Sequence, residues 1–129
     1  MADSERGVIR NRGYATQIRD FSGLRFGNIT PTDVDGLIEY KGKGYVLIEI
    51  KYQGVQLPPG QRLALERLCD DLQRTKPTLL IIAVHDSDGD IDVAKTLVAE
   101  YRFKRKWRTR DGTIRELIRA FLGHLDAPW

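Results

Sequence analysis

Cysteine occurs once in the 129 residues, at Cys69, so the chain can form no internal disulfide framework. The two histidines, His85 and His124, stand far apart, and no CxxC or Cys/His cluster offers the soft ligands of a zinc site. Long hydrophobic runs are also missing. No stretch approaches a membrane span, and the polar N-terminus, MADSERGVIRNRG, has no apolar run of the signal-peptide kind. A soluble, cytoplasmic protein with no membrane partner is therefore expected. Absent too are a glycine-rich phosphate loop and a GxSxG elbow, which removes two common routes to phosphate binding and ester hydrolysis.

The composition that remains is that of an ordinary globular protein, with 41% hydrophobic and 30% charged residues. Its length suits one domain, expected to span residues 1–129 with a core over about 13–104. Net charge is only +3, but it is unevenly spread. Between Arg102 and Arg119, eight basic residues (Arg102, Lys104, Arg105, Lys106, Arg108, Arg110, Arg115, Arg119) face only Asp111 and Glu116, leaving the segment at +6 and the rest at −3. Such a block fits either a polyanionic partner or a solvated basic face. Tyr101, Phe103 and Trp107 interleave with it, as base-stacking residues or as core.

Periodicity gives the elements. Tyr14, Ile18 and Phe21 suggest a short helix stopped by Gly23, followed by a connection with a Gly27–Asn28 turn. Two alternating runs, Asp33–Tyr40 and Gly44–Lys51, read as strands of a hairpin closed by Lys41-Gly42-Lys43-Gly44. Pro58-Pro59-Gly60 opens a helix over Gln61 to Arg74, with a stripe of Leu65, Leu68, Cys69 and Leu72. Cys69 lies on that stripe and reads as core, not nucleophile. The apolar run Thr78–Val84 suits a strand covered on both faces. Asp86, Asp88, Asp90 and Asp92 alternate as in a calcium loop, but Gly89 and Leu97 occupy the wrong places, so a turn is expected. His85 reads as a strand-end residue. Leu97 to Lys104 favours a strand, with a helix possible over Asp92 to Glu100. Arg105 to Arg110 reads as a connection, and Thr113 with Glu116 forms a capping box for a last helix closed by Gly123. The sum is a single α/β domain with a mixed sheet flanked by helices, the basic segment and C-terminal helix covering 102–123.

One feature resists a purely structural reading. Glu49 and Lys51 are two apart within Leu-Ile-Glu-Ile-Lys, so both point to one sheet face among apolar residues. An antiparallel hairpin brings Asp35 towards them. Carboxylates that close repel, and hard oxygen ligands favour Mg²⁺ or Mn²⁺. A lysine beside them could orient water or offset charge on a phosphate. The alternative is an outer hairpin face with cross-strand ion pairs.

Asp35, then thirteen residues, then Glu49-Ile50-Lys51, within Pro31-Thr32-Asp33-Val34-Asp35-Gly36 and Ile48-Glu49-Ile50-Lys51, resembles the PD-(D/E)xK nuclease superfamily. That superfamily includes restriction endonucleases, Holliday junction resolvases and small phage nucleases. The resemblance covers roughly Tyr14 to Ala83 and implies a restriction-endonuclease-like core. It further implies a Mg²⁺-dependent endonuclease, with Mn²⁺ able to substitute, acting on DNA in recombination, repair or phage replication. The setting would be a bacterial or phage-infected cell, and resolvases of this type pair as homodimers. Asp35 and Glu49 would hold the metal with the Ile50 carbonyl, Asp33 being the other candidate for the first acid. Lys51 would position or activate water, and Gln61 would steady Lys51, the water or a phosphate. Arg102, Lys104, Arg105, Lys106, Arg108 and Arg110 would grip nucleic acid. The first helix offers only Asp20 where many members carry a glutamate, and Leu65 stands where one subgroup has tyrosine. A nucleic-acid-binding accessory protein that keeps the fold without catalysis is the alternative function.

Overall fold

The computed structural model describes residues 18–128. The chain divides after Pro31 into two units. In the first, the expected helix begins at Tyr14, outside the described residues. Ile18 to Asp20 have no regular structure, and Ser22–Leu24 makes a single 3-10 turn. Phe26 and Ile29 pair across the Gly27–Asn28 turn, where Gly27 adopts φ 63°.

The second unit, Thr32–Trp129, is α/β, with one five-stranded sheet and two helices. Strands β1 (Gly36–Tyr40), β2 (Gly44–Tyr52), β3 (Thr78–His85), β4 (Leu97–Phe103) and β5 (Lys106–Arg108) lie side by side in chain order. Only β2 and β3 are parallel, and helix α1 (Pro59–Gln73) supplies the crossover that a parallel pair requires. Helix α2 (Ile114–Asp126) follows β5. Because side chains alternate along a strand, each face has its own core. Val46, Ile48, Leu79, Ile81, Ala83 and Val98 pack with Ile114, Leu117 and Phe121 of α2. Leu47 and Leu80 pack with Leu65 and Cys69 of α1.

The two helices differ in what they offer the sheet. The α2 stripe is fully apolar, and the expected Thr113–Glu116 capping box is present in both directions. Glycine 123 does not end this helix, which runs through it to Asp126 because Leu122 and Leu125 extend the same apolar face. Helix α1 buries only Leu65 and Cys69, while Leu68 of the expected stripe is exposed. Polar side chains carry much of its contact instead. Gln61, Arg62, Glu66, Asp70 and Gln73 all bond to groups on the sheet or at its border.

Other expectations shift at the ends of elements. Strand β1 starts at Gly36, not Asp33, because the Asp35 side chain takes the Ile50 N–H at 2.8 Å where a strand neighbour's carbonyl would sit. Asp92 to Glu100 contains one 3-10 turn, Val93–Lys95, and no longer helix. The connection read over Arg105 to Arg110 contains strand β5. Its two-residue turn was hard to foresee, since Lys104 and Arg105 take φ of 49° and 66° where such hairpins favour Asn and Gly.

Gly44 and Gly123 make contrasting tests of packing. A Cβ on Gly44 would meet the Pro77 carbonyl oxygen at 2.6 Å and Leu125 at 2.8 Å, whereas one on Gly123 would meet nothing within 4 Å. In urea unfolding, Gly44→Ala should destabilise by about 1–3 kcal/mol. Gly123→Ala should stabilise by about 0.5–1 kcal/mol, through helix propensity. Burial also pushes the Cys69 thiol up to about 12. Folding thus favours the neutral thiol, a contribution complete below the unfolded value of 9.0 and lost as pH rises towards the folded one. A thiol reagent at pH 8 should therefore label Cys69 only after unfolding; rapid labelling of the native protein would contradict the core placement.

Candidate metal centre

The parallel pair ends, at Lys51–Tyr52 and Val84–His85, on the side of the sheet where α1 begins. Ligand sites in α/β sheets gather at such carboxyl ends. Glu49 and Lys51 project here onto the α1 face, since their neighbours Ile48 and Ile50 belong to the α2 core. The β1–β2 register sets Gly36 against Ile48 and so brings Asp35 level with Glu49.

Asp33, Asp35 and Glu49 each place one carboxylate oxygen within 4.8 Å of the others. Among the described residues, no other group of three His, Cys, Asp or Glu side chains comes together in this way. The two aspartates are exposed, whereas Glu49 is only 2% exposed. Its Oε1 accepts from Gln61 Nε2 at 3.0 Å and lies 3.5 Å from Lys51 Nζ. Its Oε2 is buried and has no hydrogen-bond partner. Leaving a buried carboxylate oxygen unmatched is costly. Burial, followed by the charge of Asp35, pushes the Glu49 carboxyl above its usual range, and Lys51 only partly opposes them.

The choice between Asp33 and Asp35 dissolves in this geometry, for both reach the cluster. Asp35 is the better anchored, through its bond to Ile50 N. An extended residue directs its N–H and C=O to the same edge, so the Ile50 carbonyl faces the same side as Asp35. Gln61 touches Glu49 and not Lys51, because its place in the first turn of α1 sets its amide over β2. Three carboxylates, one of them with an orphaned oxygen, and a carbonyl edge form an all-oxygen set that could hold a hard divalent cation.

The basic segment does not converge on these acids. Arg102 is taken up by Asp70, which accepts from its Nε at 2.9 Å and its Nη2 at 2.8 Å, and it holds the Asp70 carboxyl below the usual range. Lys104 and Arg105 form the β4–β5 turn, beyond the Leu80–Arg102 level where β3 begins, at the other end of the sheet from Lys51. Lys106 and Arg108 flank Trp107 in β5 and so point to the opposite face. Arg110 returns along β4 towards the Leu97–Thr113 bridge, reaching the level of Ala99 and Glu100. Trp107 is already engaged, donating to Glu66 at 2.6 Å with the Arg62 guanidinium 4.1 Å from its ring centre. Arg62 and Glu66 were absent from the sequence-based site, although i, i+4 spacing after Gln61 places a polar row beside the apolar one.

Elsewhere, the acidic turn bonds within itself, Ser87 Oγ receiving the Gly89 N–H and donating to the Asp90 carbonyl. His85 Nδ1 accepts from Ser87 N at the strand end. On the α2 face, a cavity of about 380 Å³ is lined by Ile48, Ile114, Ile118 and Leu122 with Arg115 and Arg119, and it holds no acidic side chain. No helix among the described residues is long and apolar enough to cross a membrane.

No family model matches the chain, and no curated protein or solved structure is similar to it. What fold and site define is an α/β unit with an oxygen-rich acidic cluster at the carboxyl end of its parallel strands.

The metal-free cluster should work against stability. Since the Glu49 carboxyl is raised, its neutral form is favoured by folding; that contribution is present below the ordinary value of 4.5 and lost as pH rises through the folded value. At pH 7 without divalent ions, Glu49→Gln should raise the melting temperature by roughly 2–5 °C, the shift that about 1 kcal/mol produces at this size. Mn²⁺ at about a hundred times its Kd should stabilise the unmodified chain by about 2.7 kcal/mol. Glu49→Gln and Asp35→Asn should abolish that response, and a response surviving both would remove the metal from this site.

Proposed function

We propose that the chain is a Mg²⁺-dependent nuclease of PD-(D/E)xK type that hydrolyses DNA phosphodiester bonds. The observation that carries this reading is the orphaned Oε2 of Glu49, a buried carboxylate clustered with Asp33 and Asp35 and two residues from Lys51. An ion-paired outer hairpin would leave these groups solvated, whereas a cation would satisfy the oxygen and relieve the repulsion. The order of hairpin, helix and parallel strand, with the acids before β1 and Glu-x-Lys on β2, supports the restriction-endonuclease-like assignment. The superfamily's core has a three-stranded meander before that helix, and its first strand has no counterpart in a named strand among the described residues.

Each residue has a derivable task. Asp33, Asp35, Glu49 and the Ile50 carbonyl would hold the ion. When bound, it supplies Lewis acidity towards the phosphoryl oxygens. Gln61 fixes the Glu49 carboxylate by holding Oε1, while Oε2 is left without a protein partner. Lys51, with its side chain 22% exposed, can hold an incoming water and offset negative charge growing on the phosphate. Arg110 and the turn at Lys104–Arg105 would bind backbone phosphates at the two ends of the sheet, which gives affinity without base selection. A non-catalytic DNA-binding role shares all of this except the chemistry.

Cleavage separates the two. Branched, flapped, linear and single-stranded DNA incubated with Mg²⁺ should show at least one substrate cut. Lys51→Ala and Glu49→Ala should each reduce the rate by two or more orders of magnitude, in line with losing a principal charge-stabilising group. If all four substrates stay intact, or cutting survives both substitutions, the enzyme reading is lost.

A further inference from the structure

Arg62 follows Gln61 in the first turns of α1, the helix end that touches Glu49. Its guanidinium bonds to Glu100 through Nη1, lies 3.6 Å from Glu66 through Nε, and stacks on Trp107 at 4.1 Å. Glu100 belongs to the same row as Glu49, because Ile82 pairs with Glu49 on one side and with Glu100 on the other. The two glutamates therefore share the α1 face, two strands or about 10 Å apart. Arg62 is the cation bonded to the second of them, over β4 and β5.

Its attachment differs from that of the neighbouring Arg102. Arg102 is 13% exposed and gives two parallel hydrogen bonds to Asp70, a firmly held arrangement. Arg62 is 35% exposed and divides its contacts between two carboxylates that are themselves 25% and 28% exposed. Ion pairs this accessible are weakly held and readily exchanged for another anion. A phosphate is such an anion, and guanidinium groups match its geometry. The stack on Trp107 would keep the fork oriented while its partner changes.

We propose that Arg62 is a phosphate-binding residue of this site, held back in the free protein by Glu100. The inference rests on the nuclease reading for its ligand, a nucleic-acid strand crossing the α1 face. When the strand arrives, the Arg62 fork leaves the Glu100 carboxylate for a backbone phosphate one or two nucleotides from the Glu49 cluster. Glu100 thus works as a restraint on binding, and removing its charge tightens the complex.

The test measures binding of the full chain to a fluorescent DNA oligonucleotide across salt concentration, in EDTA so that nothing is cut. Relative to the unmodified chain, Glu100→Gln should bind several-fold more tightly at low salt. Its plot of log affinity against log salt should keep the slope of the unmodified chain, because Arg62 contacts the phosphate in both complexes. Arg62→Gln should bind more weakly with a shallower slope, and adding Glu100→Gln to it should change nothing. A second readout guards against a poorly folded variant. With Trp129→Phe, Trp107 is the only tryptophan, and DNA should change its fluorescence in the parent but much less with Arg62→Gln. Equal or weaker binding by a folded Glu100→Gln protein, or a Trp107 signal indifferent to Arg62, overturns the proposal. If such a result accompanies Mg²⁺-dependent cleavage, the nuclease reading stands without it; if the unmodified chain binds no DNA at any salt, either in EDTA or with Ca²⁺ in its place, both fall together.

Discussion

A carboxylate is held out of water in the middle of a sheet, and much of the arrangement around it follows. Glu49 sits on β2, a strand with neighbours on both edges and helices over both faces. A charge there cannot relax into solvent, so its surroundings must answer it. Gln61 answers with one hydrogen bond and Lys51 with partial charge compensation, while Asp33 and Asp35 make the problem worse. A chain selected for stability alone would place an aliphatic residue at this position. Four charged groups in one corner are a cost that a bound cation would relieve.

The polar character of α1 follows from the same constraint. An amphipathic helix usually docks through an apolar stripe, and α2 does so with Ile114, Leu117 and Phe121. Helix α1 has only Leu65 and Cys69 buried, and the rest of its grip is a chain of paired polar groups running from Gln61 through Arg62 and Glu66 to Asp70. Near Glu49 this chain positions a carboxylate. Towards β5 it holds Trp107 and Arg102 as structure. One helix thereby carries both the support of the site and the anchoring of the sheet's far strands, and Arg62 stands where the two tasks meet.

The distribution of positive charge is less direct than the linear sequence suggests. Eight basic residues between Arg102 and Arg119 look like one patch. Folding sends them to a half-buried ion pair, a hairpin tip, one face of β5, the chain after it and helix α2. Arg108 and Arg110 come within about one residue of the level of Glu100, at the outer edge of the sheet and three strands from Glu49. The nearer cation, Arg62, sits outside the segment.

What the sequence determined by itself was local. Alternation in Leu-Ile-Glu-Ile-Lys put Glu49 and Lys51 on one face, the glycine-rich link made the hairpin, Pro59 and the Leu65–Cys69 spacing made α1, and Thr113 with Glu116 opened α2. Each depends on neighbours a few residues apart, which backbone geometry alone specifies. Tertiary structure decided what depends on register between distant strands. That both Asp33 and Asp35 reach Glu49, that Glu100 lies in its row, and that Arg102 is consumed by Asp70 are results of pairing β1 with β2 and β3 with β4. Strand β5 has no turn signal in the sequence, because its turn uses Lys104 and Arg105 in a conformation usually given to glycine and asparagine. Charge can be counted along a chain, but whether a charged group is buried, paired or free is settled only by the residues that folding brings against it.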